Sequence, residues 1–174
     1  MIKTKIDNGD IVVGEIKAYK KRFLHLDANL YFAKESIDPG SFEKRVKLKE
    51  QIKKKFSKKF LFQDMGTDNS KTSVNYPDYA HKLSKKVSNN SKNIGILVCG
   101  SGMGMSMAAN KHKKIRAAVC YSVKNAKLSR LHNNANIITL GSRLTKKNIA
   151  FKCIEVFVNT KFEGGRHKKR VKKI

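Results

Sequence analysis

The run Ile94-Gly95-Ile96-Leu97-Val98-Cys99-Gly100-Ser101-Gly102-Met103-Gly104-Met105-Ser106-Met107-Ala108-Ala109-Asn110-Lys111 constrains the fold more than any other stretch, because three local structures follow one another in it without a gap. Ile94 to Val98 is a short apolar run rich in β-branched residues, long enough for a buried strand and too short for an ordinary buried helix. Gly100, Gly102 and Gly104 then put three glycines in five positions, which permits positive φ and close approach of the backbone to a ligand. Met105 to Lys111 returns to good helix formers. The order strand, glycine loop, helix sets loop amides and the positive end of a helix dipole at the carboxyl end of a strand, where anions and developing oxyanions are stabilised. Cys99 opens the loop, and a thiol beside a helix N-terminus is drawn down from about 8.5 toward neutrality. It is therefore a candidate nucleophile or base; the other reading of the same spacing is a buried structural cysteine ahead of a tight turn. No Gly-Lys-Ser/Thr closes the loop, so it is not a Walker loop, and its glycine spacing is not that of the dinucleotide fingerprint.

Strand and helix signals alternate over the rest of the chain. Ile11-Val12-Val13 reads as a short strand, Glu15 to Leu24 as a basic helix and Asn29 to Ala33 as a better strand. Lys34 to Ser41 carries the Pro39-Gly40 signature of a loop. Leu48, Ile52 and Phe56 recur every four residues and predict a helix, and Phe60 to Asp64 predicts a strand closed by Gly66. Pro77 suits the first turn of a helix with Tyr79, Leu83 and Val87 on one face. Arg116 to Cys120 and Ile137 to Gly141 read as strands around a helix from Val123 to Leu131. Thr145 is placed to cap the last long helix, whose stripe is Ile149, Cys153, Ile154, Phe157 and Val158. The alternation implies a mostly parallel sheet covered on both faces.

At 174 residues with 40% hydrophobic content, one domain is the default, and no apolar run approaches a membrane span. The first residues have no apolar signal region, so a cytoplasmic location is the simplest expectation. Cys99, Cys120 and Cys153 are an odd count with no C-x-x-C pair, which suits reduced thiols; Cys120 and Cys153 fall on apolar faces and read as packing. The formal charge of +26 comes mostly from lysines spread through every segment, densest at Lys53 to Lys59 and Arg166 to Lys173. Without a concentrated face of Arg, Lys and aromatics, the Lys53 to Lys59 cluster reads as a solvated, lysine-biased surface, and nucleic acid should bind only nonspecifically.

Tyr76-Pro77-Asp78-Tyr79-Ala80, the Cys99 to Ser106 loop, Ala109-Asn110-Lys111, Leu131-His132-Asn133, Ala135-Asn136, Leu140-Gly141-Ser142-Arg143 and Phe162-Glu163-Gly164-Gly165-Arg166-His167 with Arg170 together resemble the ribose-5-phosphate isomerase B family, which also contains the galactose-6-phosphate isomerase subunits. The likeness runs in unbroken order from about Phe60 to the end. It implies a Rossmann-like three-layer α/β/α sandwich with a mostly parallel five-stranded sheet, spanning residues 30–160. Residues 1–29 are then an N-terminal extension and 161–174 a basic segment that supplies phosphate-binding arginines. It also implies aldose–ketose isomerisation of a sugar phosphate without cofactor or metal, in a homodimer or dimer of dimers whose sites draw on two chains.

Moving a carbonyl between C1 and C2 needs a base for a carbon-bound proton, donors for the enediolate oxygen, an acid to open the ring and cations for the phosphate. The resemblance assigns Cys99 as base and His132 to ring opening, with Asn133 beside it on the sugar. Backbone amides of Gly100, Gly102, Met103 and Gly104 are the expected oxyanion hole, with the Ser101 hydroxyl as a further donor. Arg143, Arg166 and Arg170 fall on phosphate positions, which a bidentate guanidinium suits better than lysine. His25, His81 and His112 match no family site. One departure lies upstream: the family's opening strand runs into Ser-Asp-His-Ala-Gly, whereas here the loop looks longer, Asp38 is the nearest substitute for the aspartate and nothing replaces the histidine. Three readings follow: a ribose-5-phosphate isomerase, an isomerase of another sugar phosphate such as galactose 6-phosphate, and an impaired or noncatalytic relative.

Overall fold

The computed structural model describes residues 5–7, 10–12, 30–34, 39–67 and 74–174, with the side chains of residues 44, 47–67 and 74–174. β1 (Lys5–Asp7) and β2 (Asp10–Val12) form an antiparallel hairpin, so the strand expected at Ile11 has a partner the sequence did not announce. The basic helix expected at Glu15 to Leu24 lies outside the described residues. From there the chain runs β3 (Leu30–Lys34), α1 (Pro39–Phe56), β4 (Phe62–Asp64), α2 (Tyr76–Ser88), β5 (Ile94–Cys99), α3 (Met103–Ala109), β6 (Ala117–Val119), α4 (Val123–Asn133), β7 (Ile137–Gly141), α5 (Lys147–Asn159) and α6 (Gly165–Val171). The strands from β3 onward make one five-stranded sheet in the order β4-β3-β5-β7-β6, and every pairing in it is parallel.

β5 is central because both of its faces are apolar, and all six of its positions are buried. Ile94, Ile96 and Val98 face a core with Leu48, Ile52 and Phe56 of α1, Ala126 of α4 and Cys153, Ile154 and Phe157 of α5. Leu97 and Cys99 face the opposite core, with Ala80, Leu83 and Val87 of α2 and Met105 and Ala109 of α3. This is the period-two alternation of a strand covered on both sides, and it yields the expected α/β/α sandwich. Gly95 matters to the second layer, since a Cβ there would stand 2.6 Å from Leu83 Cδ2 and hold α2 off the sheet. Cys120 and Cys153 are buried as packing residues, and burial pushes their thiols up to about 12 and about 11.

Three expectations are corrected. Pro39 and Gly40 do not form a loop; they open α1, where proline's fixed φ and missing N–H fit the first helical position. The residues read as a longer loop, Ser41 to Arg45, are therefore helix, and the segment that leaves β3 is confined to residues 35–38, outside the described residues together with Asp38. Thr145 does not cap α5: Lys146 holds the N-cap without a side-chain bond, while the Thr145 hydroxyl is buried without a partner among the described residues. Nor is the Lys53 to Lys59 cluster wholly a solvated surface. Lys53 and the fully buried Lys49 both reach Asp64, at 2.9 and 2.7 Å, tying α1 to the end of β4.

Candidate active site

A parallel sheet opens a ligand crevice where neighbouring strands send their following helices to opposite faces. Here that point lies between β3 and β5. α1, which follows β3, packs in one core, and α3, which follows β5, packs in the other. Cys99 ends β5 at this crevice, with Lys34 of β3 level with Val98.

The loop after β5 is folded around the thiol. The Gly102 amide donates to Cys99 Sγ at 2.8 Å, in buried surroundings. Gly102 has φ +87° as the N-cap of α3, a left-handed conformation that favours glycine and turns its N–H back toward the sulfur. The Gly102 N–H, expected to face a substrate oxyanion, is directed at the Cys99 sulfur in this structure. The Met103 amide is likewise taken, by Ser101 Oγ at 3.3 Å, so the Ser101 hydroxyl acts as an acceptor here. Gly104 packs against Tyr76 of α2, whose Oη would lie 2.7 Å from a Cβ at that position. Gly100 has no room for a Cβ because the Arg143 guanidinium lies across it, and the Arg143 amide donates back to Gly100 O at 3.1 Å. Cys99, Gly100, Ser101, Gly102, Met103, Gly104 and Arg143 therefore share one edge of the sheet. Ser142 stands in the same turn with its hydroxyl buried and without a hydrogen-bond partner among the described residues, and its amide on Cys99 O at 2.8 Å.

The other predicted residues are elsewhere. α4 runs back between the parallel strands β6 and β7, so its last residues, His132 and Asn133, lie at the amino edge of the sheet. The tail after α5 returns to the same end: Arg130 Nε donates to Thr160 O at 3.2 Å and the Glu163 amide to Leu131 O at 3.0 Å. Exposed Arg166 and Arg170 stand one turn apart on α6, a helix the sequence reading had left as a basic segment. The two edges are separated by the length of β5, roughly 13 Å from Gly95 to Cys99.

At the amino edge the sequence reading missed two partners of His132. The His167 ring stacks on it with centroids 4.3 Å apart and planes within 2°. Glu163 Oε2 stands 3.7 Å from His132 Nε2 and 3.9 Å from His167 Nε2. Arg166 Nε donates to His167 Nε2 at 3.5 Å. Burial first, then the charges of His132, Arg166 and Arg170, hold the His167 imidazole below its ordinary range, against the opposing pull of Glu163. Glu163 lies just ahead of α6 and is brought under the two rings by the turn at Gly164, which no periodicity in the sequence announces. These three residues are also the described group spaced for a metal ion, with ligand atoms within 4.8 Å of one another. Parallel rings, however, keep their in-plane lone pairs from converging, and the Arg166 donor already aims at His167. The arrangement suits proton exchange better than coordination.

Sandwich, switch-point crevice and glycine-wrapped thiol define a Rossmann-like α/β protein with a crevice at the carboxyl ends of its central strands. A family model described as Ribose/Galactose Isomerase matches residues 39–174, and the chain belongs to that family of isomerases. The match begins at α1, upstream of where the motifs alone placed it. The chain is 40% identical over 111 residues to ribose-5-phosphate isomerase B of Escherichia coli, covering 64% of this chain and 74% of that protein. Among solved structures it is similar to ribose-5-phosphate isomerase B from Mycoplasma genitalium with bound ribulose-5-phosphate, with TM-score 0.77, 37% identity and 86% and 95% of the two chains covered. The corresponding enzyme from Thermotoga maritima gives TM-score 0.74 and 41% identity over 83% and 95%. Among the described residues no helix is long and apolar enough to cross a membrane.

Proposed function

We propose that the protein interconverts ribose 5-phosphate and ribulose 5-phosphate through an enediolate. The observation that carries this reading is the Gly102 amide on Cys99 Sγ at 2.8 Å beside the Arg143 guanidinium. A thiolate held in that way takes the proton from C2 of the open-chain aldose and the electron pair passes to the C1 oxygen as the enediolate; a proton then moves from the C2 hydroxyl to the C1 oxygen, and return of the first proton from sulfur to C1 gives the ketose and restores the thiolate. Nothing is oxidised or reduced overall. His132 opens the ring beforehand by exchanging protons with the ring oxygen and the anomeric hydroxyl, and Asn133 holds the sugar. Arg143, Arg166 and Arg170 receive the phosphate. The amides of Gly100 and Gly104 are the remaining oxyanion donors.

Since Cys99 and His132 occupy opposite edges of one sheet, a complete site takes Cys99 and Arg143 from one chain and His132, Asn133, Arg166 and Arg170 from a second. The functional unit is accordingly a homodimer, or a dimer of dimers. The helical course of residues 39–45 leaves the family's Asp-His pair without a counterpart there, and loss of one such partner costs on the order of 1.5–3 kcal/mol. That corresponds to a kcat/KM about ten- to hundredfold below that of the Escherichia coli relative. The family description pairs ribose with galactose, so galactose 6-phosphate is the second substrate to assay.

The test is isomerisation of ribose 5-phosphate by the purified protein and by Cys99→Ala. The parent should turn over and the variant should lose roughly 10²–10⁴ in kcat with its fold intact, as for loss of a general base. A folded parent inert toward ribose 5-phosphate, or a variant as fast as the parent, refutes the proposal.

A further inference from the structure

Two of the three histidines that matched no family position come together. His81 Nδ1 of α2 and His112 Nε2, in the turn after α3, lie 2.8 Å apart with their rings inclined at 60°. They line a cleft of about 700 Å³ with Lys82, Lys85, Lys86, Asp78 and Met65. That volume is within the roughly 300–1,000 Å³ of small-molecule sites, and three lysines stand around its walls. Lys82 and Lys85 are exposed and project from one helix, and the turn bearing His112 also carries Lys111, Lys113 and Lys114. Among the described residues, Asp78 is the carboxylate in the lining.

One hydrogen occupies the space between the two ring nitrogens, so one imidazole donates and the other accepts. The pair keeps that bond with one added proton, which makes it charge-assisted, and loses it with two, because both rings are then donors. Burial, then His81 and Lys85, hold His112 below the ordinary imidazole range. An anion in the cleft reverses the electrostatic part of that opposition and favours the first proton. Met65 offers an apolar contact beside the cations.

We infer that this cleft is a second anion site, which takes a small polyphosphorylated molecule and takes up a proton on the His81–His112 pair as it does so. A concave wall with a carboxylate in it favours a compact ligand over a nucleic-acid backbone, which the lysines spread over the whole chain would engage without need of a cleft.

The test follows the imidazole nitrogen signals of His81 and His112 by NMR while the full-length protein is titrated with inorganic tripolyphosphate at pH 6.0 and 8.0. Both signals should move, and binding should be about tenfold tighter at pH 6.0, the effect of a one-unit shift in the pair. Lys82→Gln with Lys85→Gln, at exposed positions, should weaken binding about tenfold, and His112→Gln should remove most of the pH dependence. The inference is overturned by motion confined to His132 and His167, by affinity no higher at pH 6.0, by unaltered binding in the double lysine variant, or by a single-stranded oligothymidylate that moves the same signals at lower concentration. None of these readouts depends on isomerase activity, so the inference and the proposed function stand or fall separately.

Discussion

His132 and His167 lie ring over ring, 4.3 Å between centroids, with the Glu163 carboxylate at the Nε2 of both. His167 is held below its ordinary range, burial being the first cause. Unfolding therefore takes up a proton between that lowered value and about 6.5, and stability rises with pH through the window. The contribution is complete above about 6.5 and is lost as pH falls through the folded value. The melting temperature should drop on going from pH 7.5 to 5.0, and His167→Gln should flatten part of that drop. A variant with the parent's pH dependence contradicts the assignment.

Gly100→Ala separates binding from folding. The added methyl meets the Arg143 side chain, whose flexible stem can swing away at small cost, so stability should change by less than about 1 kcal/mol. The displaced guanidinium should raise KM for the sugar phosphate about tenfold, the scale of one charge-assisted hydrogen bond. An unchanged KM removes Arg143 from the phosphate site.

Opposite placement of Cys99 and His132 predicts intersubunit complementation. Cys99→Ala and His132→Ala proteins, each nearly inactive alone, should regain activity when mixed and refolded, because a mixed dimer contains one site with both residues intact. At random pairing about half the dimers are mixed and one of their two sites is whole, so recovery approaches about a quarter of the parent rate, on the symmetric-dimer arithmetic. Recovery that stays at the level of the single variants places both residues in one chain.

The ion pair between buried Lys49 and Asp64 predicts an asymmetry between its two deletions. Burial raises the Asp64 carboxyl, yet Lys49, Lys53 and the Gly66 amide together hold it below the usual carboxylate range. Asp64→Asn removes the nearer counter-charge of the buried Lys49 ammonium and leaves it the more distant Glu50 carboxylate at 3.6 Å, which should cost about 3 kcal/mol. Lys49→Met removes the buried charge itself, leaves Asp64 to Lys53 at 2.9 Å, and should cost clearly less. Denaturant melts of the two variants check the order.

The parts that the sequence disclosed are those whose signal is local. Three glycines after an apolar run predict the β5–α3 loop, and Leu48, Ile52 and Phe56 at spacing four predict the buried face of α1, because both patterns are complete within a few turns. Lys49 carries no such mark: it is one lysine of many in α1, and only the approach of Asp64, fifteen residues later in the sequence, explains its burial. His81 and His112 pair across 31 positions, and no periodicity links them. The division of the candidate site between two edges of the sheet is likewise invisible to motif order. His132 follows Cys99 in the chain, and the direction in which α4 crosses back over the sheet is what separates them. Asn136 was visible as a motif member without its role: its side chain accepts from the Arg116 amide at 2.8 Å and donates to Lys114 O at 2.8 Å, fixing the entry to β6.

Asn110 has a related position with a different outcome. β6 is an edge strand, and its residues 116, 118 and 120 turn toward β7, leaving Ala117 facing outward. Asn110 answers both outward groups of Ala117, accepting from its amide at 2.7 Å and donating to its carbonyl at 2.9 Å. A side chain thus occupies the ladder position that an incoming backbone would need, and β6 is only three residues long. At this edge the sheet is sealed against extension by a sixth strand, which removes one route to fibrillar stacking. Two copies meeting at this edge would have to join by the surfaces of helices and loops rather than by a sheet continued across the boundary.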